Sequence, residues 1–415
     1  MAPSCRHGGG AMRHFIMMLS MALLGAVTPV HAEVSFCPGL ITAVEPKLAG
    51  HEAAFVRSYE PGADEEGLPL GLSTTAFTYD NALAAIALVA CGRVNEARVI
   101  GNALVHAASH DRTFDDGRLR NAYRAGPVGL GAALLPGWWD HQNNIWGEDP
   151  AQDGTATGNV AWAALALLTL HQATGDATYL SSARRLMDWI IGNASSGEDG
   201  FSGGFHGYDP QQVRLTWMST EHNADVYAVG SWLHRLTSEQ RYQGAAQTAR
   251  RLLDRSFRGD HFLLGTKPDG SDADSNLLAL DVQLWPWMAV PDAPDWRKAL
   301  GFAQAHLAVD NGFDFNGDRD GVWVEGTAQA ALASRMAGDA AASQRLLAGL
   351  RDDRTSSGLL NATRSARVST GLSIDPSGAG TIPDFFYYKR PHLGATAWAV
   401  LAETGWNPFT GARVP

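Results

Sequence analysis

The chain has 415 residues, of which 45% are hydrophobic and 9% aromatic, enough to bury the core of one large domain or two ordinary ones. Its formal net charge of −11 repels phosphate backbones, so nucleic acid is excluded as a natural partner. Three cysteines without zinc-type spacing argue against a structural zinc site.

Residues 1–32 read as an export signal. Arg13 and His14 precede an apolar stretch, Phe15 to Val27, and a small-residue cleavage site ends at Ala32. Met12 is an alternative start. The apolar stretch is short for a bilayer span, and no later segment reaches the roughly 18 uninterrupted apolar residues of a membrane helix. A periplasmic or secreted protein is therefore expected, with no membrane contact once the signal is removed. Cys5 leaves with the signal; Cys37 and Cys91 remain, either paired in an oxidising compartment or as two inert thiols.

From residue 41 onward one kind of unit recurs. "TYDNALAAIALVA" (Thr78 to Ala90) is apolar nearly all round, as a helix buried on every side should be, and "NEARVIGNALVHAAS" after it has a one-sided stripe. "GNVAWAALALLTLHQ" pairs in the same way with "ATYLSSARRLMDWIIGN", and "TEHNADVYAVGSWLHRL" with "QGAAQTARRLLDRSF". "SNLLALDVQLWPW" pairs with "DWRKALGFAQAHLAV", and "VWVEGTAQAALASRM" with "AAASQRLLAGLRDD". The last inner helix, "HLGATAWAVLAET", has no partner after it, and the segment from Ile41 to Glu60 has none of its own. Docking the first on the last makes six helical hairpins and closes a ring. The fold class expected is all-α, an (α/α)6 barrel formed by residues 33–415 as one domain. The alternative, an open solenoid, would need polar capping repeats that are not evident.

Returns within each hairpin are short ("TGD", "TSEQRY", "AGD"), whereas the segments leading to the next inner helix are long and rich in glycine and aromatics. The long loops therefore gather at the end where the inner helices start, which is where function is expected. Three acids fall there in first turns: Asp80, Glu221 (after Thr220, a candidate N-cap) and Glu325. Acids favour helix N-termini for electrostatic reasons alone. Three of them on one barrel mouth instead suit hydrolysis of a glycosidic bond, which needs one protonated and one ionised carboxyl. Tyr79 and Asn81 flank Asp80 and are expected to contact substrate beside it. Trp138, Trp139, Trp146, Trp217, Trp323, Tyr387 and Tyr388 can stack on sugar rings or serve as packing. His222 and Asp225, one turn apart, can share a hydrogen bond, and His392 opens the last inner helix as a substrate contact or a structural residue. "DFNGDRDG" (Asp314 to Gly321) alternates oxygens like a calcium loop, but lacks Gly at its sixth position, and a turn explains it. No metal or other cofactor is called for.

On "STEHN" (Ser219 to Asn223) with Asp225 and Tyr227, and on Asp320-Gly321, Trp323 and "EGTAQ" (Glu325 to Gln329), the chain resembles secreted bacterial members of the six-hairpin glycosidase superfamily over about Ile41 to Trp406. The resemblance implies an (α/α)6 barrel hydrolysing poly- or oligosaccharides, often with inversion, and a monomer is expected. The leading reading is an exported glycoside hydrolase with Glu221 as acid and Asp80 or Glu325 as base. A polysaccharide lyase, a sugar epimerase and a non-catalytic glycan-binding protein are the alternatives.

Overall fold

A computed structural model describes residues 35–61, 67–197, 199–375 and 385–415. The expected export signal, residues 1–32, lies outside the described residues. Among them thirteen α-helices occur, with only short strands between. In chain order the helices are α1 (Phe36–Leu48), α2 (Thr78–Ala90), α3 (Val94–Ala107), the one-turn α4 (Pro150–Asp153), α5 (Thr157–Thr174) and α6 (Ala177–Asn193). They continue with α7 (Thr220–Thr237), α8 (Gln240–Ser256), α9 (Leu280–Ala289), α10 (Lys298–His306), α11 (Val324–Met336), α12 (Ala340–Leu350) and α13 (Leu393–Thr404).

Helices α2, α5, α7, α9, α11 and α13 pack in that cyclic order, with α13 back against α2, so the ring closes. Each has an outer partner: α3, α6, α8, α10, α12 and, for α13, the N-terminal α1. The fold is an all-α (α/α)6 barrel. Helix α5 shows the local logic. Its Ala- and Leu-rich sequence favours helix, all of Val160 to Leu170 is buried, and Gly175 ends it in the left-handed conformation at φ 71°. The next helix starts at once, because the Asp176 side chain accepts the Thr178 N–H.

The closing partner is shorter than the segment read from the sequence. Ser35 caps α1, which ends at Leu48, and the chain then turns at Gly50, φ 77°. Residues 49–60 run instead as extended chain, with Ala54–Phe55 pairing to Gly126–Pro127. The seam is held by polar bonds as well. The Ser35 hydroxyl and Phe36 N–H both donate to Glu403 at the end of α13, and a Cys37–Cys91 disulfide ties α1 to the end of α2.

One bond repeats at the loop-rich end of all six hairpins. The first N–H of each inner helix donates to a carbonyl on the segment that follows its own outer helix. The pairs are Thr78 to Asn121, Thr157 to Gly203, Thr220 to Leu264, Leu280 to Phe315, Val324 to Ala362 and Leu393 to Ser58, all between 2.9 and 3.1 Å. The hydroxyls of Thr78, Thr157 and Thr220 reinforce this, donating to Arg120, Ser202 and Leu263 carbonyls. Thr220 is thus the first helical residue rather than the cap; Ser219 caps α7 by accepting the His222 N–H. Ser58 taking the sixth place marks the N-terminal segment as a full member of the ring.

Deleting residues 35–60 should therefore leave a protein without a cooperative melt. Phe36, Leu40, Val44 and Leu48 are buried, and uncovering their partners costs about 25 cal/mol per Å² against a total stability of about 5–15 kcal/mol. A soluble deletion variant with a sigmoidal melt by circular dichroism would show that the ring closes without α1.

Candidate active site at the barrel mouth

Because the six starting bonds are equivalent, equivalent positions on the inner helices form layers. The second residues are Tyr79, Gly158, Glu221, Asp281, Glu325 and Gly394. One turn below, the sixth residues are Leu83, Trp162, Asp225, Trp285, Gln329 and Trp398, all buried. Trp162, Trp285 and Trp398 lie with ring centroids 5.2–5.9 Å apart, and Phe409 of the C-terminal segment packs on all three. They make an aromatic floor. Tyr79 stands on it, 5.2 Å from Trp162 and 6.0 Å from Trp285.

Glu325 is buried on this floor and held from two directions. The Tyr79 hydroxyl donates to its Oε1 at 2.6 Å and itself accepts the Trp398 Nε1–H at 2.8 Å. Trp285 donates to Gln329 at 3.0 Å, whose amide reaches Glu325 Oε1 at 3.5 Å. Oε2 is buried without a hydrogen-bond partner. Beside it, His392 Nδ1 accepts the Ala395 N–H at 3.2 Å, which caps α13 and leaves Nε2 to carry the proton towards Asp80 Oδ2, 3.3 Å away. Glu325 Oε2 lies 3.7 Å from His392 Nδ1. Burial opposes charge on His392, but Asp80 and then Glu325 outweigh it and raise its pKa.

Gly394 makes this convergence possible. A methyl group there would collide with Asp80 Oδ1 and come within 2.9 Å of Glu325 Oε2. Gly158 does the same for α7, where a methyl would collide with the His222 ring and lie 3.2 Å from Asp225 Oδ2.

The carboxyls at the mouth are held towards the neutral form. Burial, then Asp281 and Glu325, pushes Glu221 well above the ordinary glutamate range. Burial, with Glu221 and Asp281, does the same to Asp225. Burial raises Asp281 to about 6 and Glu325 to about 8, in the latter case with Asp80 raising it and His392 and Tyr79 opposing. Glu221 stays half-exposed, so its carboxyl remains within reach of a ligand.

The other residues read from the sequence divide between rim and scaffold. Asn81 has no group free to meet a sugar. Its amide bonds both backbone groups of Val56 and the Phe77 carbonyl. It belongs to another repeat, the fourth residue of an inner helix clamping the segment before it, as Asn223 clamps Phe201 and Gln283 clamps Phe262. Trp323 is buried against Phe315 and Tyr387, and so packs beneath the rim. His222 and Asp225 do not bond each other. Both Asp225 oxygens and His222 Nδ1 lack hydrogen-bond partners; burial lowers His222 to about 4 and pushes Asp225 well above the ordinary aspartate range, so it favours the neutral form of each. The half-buried Trp217 ring is 5.7 Å from His222 and lies on Gly203. Trp139 and Trp146 stand opposite each other on the hairpin 138–147 and are 43% and 44% exposed; the Arg124 guanidinium lies over the Trp146 ring, 4.9 Å from its centroid. Tyr388 meets Tyr59 edge-on, while Tyr387 is the phenol that burial and Glu325 hold neutral. Asp281, Tyr59, the floor residues Trp162 and Trp285, and the glycines Gly158 and Gly394 were not singled out from the sequence. The Tyr59 ring lies 4.4 Å from His392.

A six-hairpin barrel with acids on its axial mouth is the class that this fold and site define. No protein-family model and no curated protein matches the chain. Among solved structures, a glycosidase in complex with glucose is similar at TM-score 0.59 and 14% identity, covering 89% of this chain and 95% of that one. An α-amylase from Clostridium perfringens is similar at TM-score 0.60 and 9% identity, over 91% and 99%. A sugar epimerase from a ruminal bacterium is similar at TM-score 0.58 and 12% identity, over 88% and 96%. The chain thus shares the (α/α)6-barrel fold of these solved structures, the fold that the resemblance in its sequence implied.

Two outcomes follow from this geometry. Glu325 goes from 4.5 unfolded to about 8 folded, and such a raised carboxyl binds its proton more tightly in the folded state. Its contribution is complete below the unfolded value and is lost as pH rises through the folded one, at up to about 1.4 kcal/mol per pH unit. The raised pKa of His392 has the same sign. The melting temperature should therefore fall between about pH 4.5 and pH 8, and Glu325→Gln should flatten that fall. A flat wild-type profile by calorimetry would mean that these carboxyls are solvated. Gly394→Ala should cut turnover by at least about 10²-fold while the far-ultraviolet spectrum stays native; unchanged turnover would show that Asp80 and Glu325 need not converge.

Proposed function

We propose that the protein is an exported glycoside hydrolase acting on a poly- or oligosaccharide, with Glu221 as proton donor and Glu325 as the base that activates water. The observation that carries this reading is Glu325 itself. Its Oε1 is fixed by Tyr79 and its Oε2 is buried without a hydrogen-bond partner, on the rim where burial, Asp281 and Glu325 also push half-exposed Glu221 towards its protonated form. Asp80 and Glu325 do not make the acid–base pair between them. They bring ligand-type oxygens within 4.8 Å of each other around His392, whereas an inverting pair needs about 6.5–9.5 Å to admit water. They act as one pole, and Glu221 is the other. Tyr79 and His392 oppose the rise in Glu325's pKa, and neither is among the groups acting on Glu221, so Glu325 is the one to ionise first.

In the reaction, the Glu221 O–H gives its proton to the glycosidic oxygen as the bond from that oxygen to the anomeric carbon breaks. Water attacks the anomeric carbon from the other side and passes its proton to Glu325 Oε2, and the configuration inverts. Exposed Trp139 supplies a stacking surface for a sugar ring. The Cys37–Cys91 disulfide supports an oxidising compartment, periplasmic or extracellular. No helix among the described residues is long and apolar enough to cross a membrane.

Product analysis on a glycan panel tests the reading. Hydrolysis releases reducing ends, and proton NMR of the first product should show inverted configuration. An ultraviolet-absorbing double bond would assign a lyase, an epimer without cleavage an epimerase, and binding without turnover a glycan-binding protein. With the substrate found, Glu221→Gln and Glu325→Gln should each lower turnover by about 10²-fold or more, with substrate binding retained. A folded Glu221→Gln variant at wild-type turnover rules out the donor role.

A further inference from the structure

The loop between the strand Gly312–Phe313 and helix α11 holds three carboxylates whose charge the mouth does not use. Asp314 is completely buried; its Oδ1 accepts the Phe315 N–H at 2.7 Å, and its Oδ2 has no partner. Asp318 and Asp320 are exposed, yet oxygens of Asp314, Asp318 and Asp320 all lie within 4.8 Å of one another. Asn316 and Asp318 arch the loop by accepting the N–H groups of Asp318 and Asp320. The sequence lacked the glycine that oxygen-lined cation loops carry at the sixth position. Arg319 stands there instead and adopts the left-handed conformation that position requires, φ 59°. Its guanidinium turns away, to the Ala305 carbonyl at 3.3 Å, and so does not neutralise the cluster.

We infer that this loop binds a divalent cation, calcium by its chemistry, through the carboxylates of Asp314, Asp318 and Asp320. The donors are all oxygen and the loop is irregular, which suits an ion taking six to eight oxygens at flexible angles better than one demanding a strict octahedron. A buried carboxylate oxygen with no hydrogen-bond partner is costly while charged, and a bound cation removes that cost.

The site braces two of the acid-bearing helix starts. The Phe315 carbonyl accepts the Leu280 N–H, next to Asp281, and the Phe313 carbonyl accepts the Trp323 N–H, two residues before Glu325. Asp320 Oδ2 accepts the Ser369 N–H at 2.9 Å and the Asn316 amide donates to the Ser369 carbonyl at 3.1 Å, which anchors the strand opposite Tyr387. Binding would therefore fix the mouth's acids in place from outside, without touching substrate.

The test uses the mature protein stripped by a chelator, with metal removal checked by elemental analysis, and then titrated with calcium chloride or magnesium chloride. Calcium should raise the melting temperature by several degrees, saturably and at lower concentration than magnesium. Asp318→Asn keeps the acceptor for the Asp320 N–H but removes an exposed charge. It should fold normally and weaken the calcium response at least tenfold. Asp314→Asn should abolish the response. No calcium response in stripped wild type overturns the proposal. So does an undiminished response in Asp318→Asn, which would put the ion elsewhere, for example among Asp80, Glu325 and His392. The readout is thermal, so it stands whether or not the hydrolase reading holds.

Discussion

The structure depends most on the bond that begins each inner helix. An α-helix starts with N–H groups that have no partner inside the helix. Here the first is given, six times over, to the chain returning from the outer helix. That satisfies a buried donor, joins inner and outer layers at one end, and fixes the rotation of every inner helix about its own axis. Once the rotation is fixed, the second residue must face the barrel axis and the sixth must lie beneath it. The mouth is then a matter of which side chains occupy six equivalent positions.

Those positions hold opposing demands in balance. Tyr79, Glu221, Asp281 and Glu325 bring polar groups to the axis, and an aromatic floor excludes water beneath them. Ionised carboxyls in such a place repel one another and lack solvation, so several take up protons at neutral pH. Two glycines complete the ring where a further side chain would collide with the acids. The result is a set of carboxyls kept in unequal protonation states by unequal partners. Glu325 has Tyr79 and His392 to stabilise its anion, and these partners do not act on Glu221.

Much of this was legible before any coordinates. Inner helices apolar on all sides, outer ones with a single stripe, and the asymmetry of loop lengths define the barrel and its working end. Glu221 and Glu325 stood out because each follows a recognisable loop-to-helix boundary. Asp281 did not, since Ala279 before its helix offers no capping side chain and the run around it reads as uniformly apolar. Asn81 was mistaken for a ligand-facing residue because a polar side chain next to Asp80 looks functional. Its real task, clamping the backbone of Val56, is a contact across 25 residues that no local pattern reveals. The pairing of His222 with Asp225 failed for a related reason. Helical spacing brings two side chains to one face, but the neighbouring helix decides whether they meet, and Gly158 draws both of them towards α5.

The joining of α1 to α13 sets a temporal order on folding. Helix α1 has its partner near the other end of the described chain, so the last hairpin cannot be completed until α13 has been synthesised. Contacts this distant in sequence slow folding, because the loop must close before the contact rewards it. Until then the apolar stripe of Phe36, Leu40 and Val44 can lie only against α2 and α3, the near neighbours it also touches in the finished barrel. The Cys37–Cys91 bond joins α1 to α2, so the opening strake of the hull can be pinned to its neighbour while the last plank is still to come.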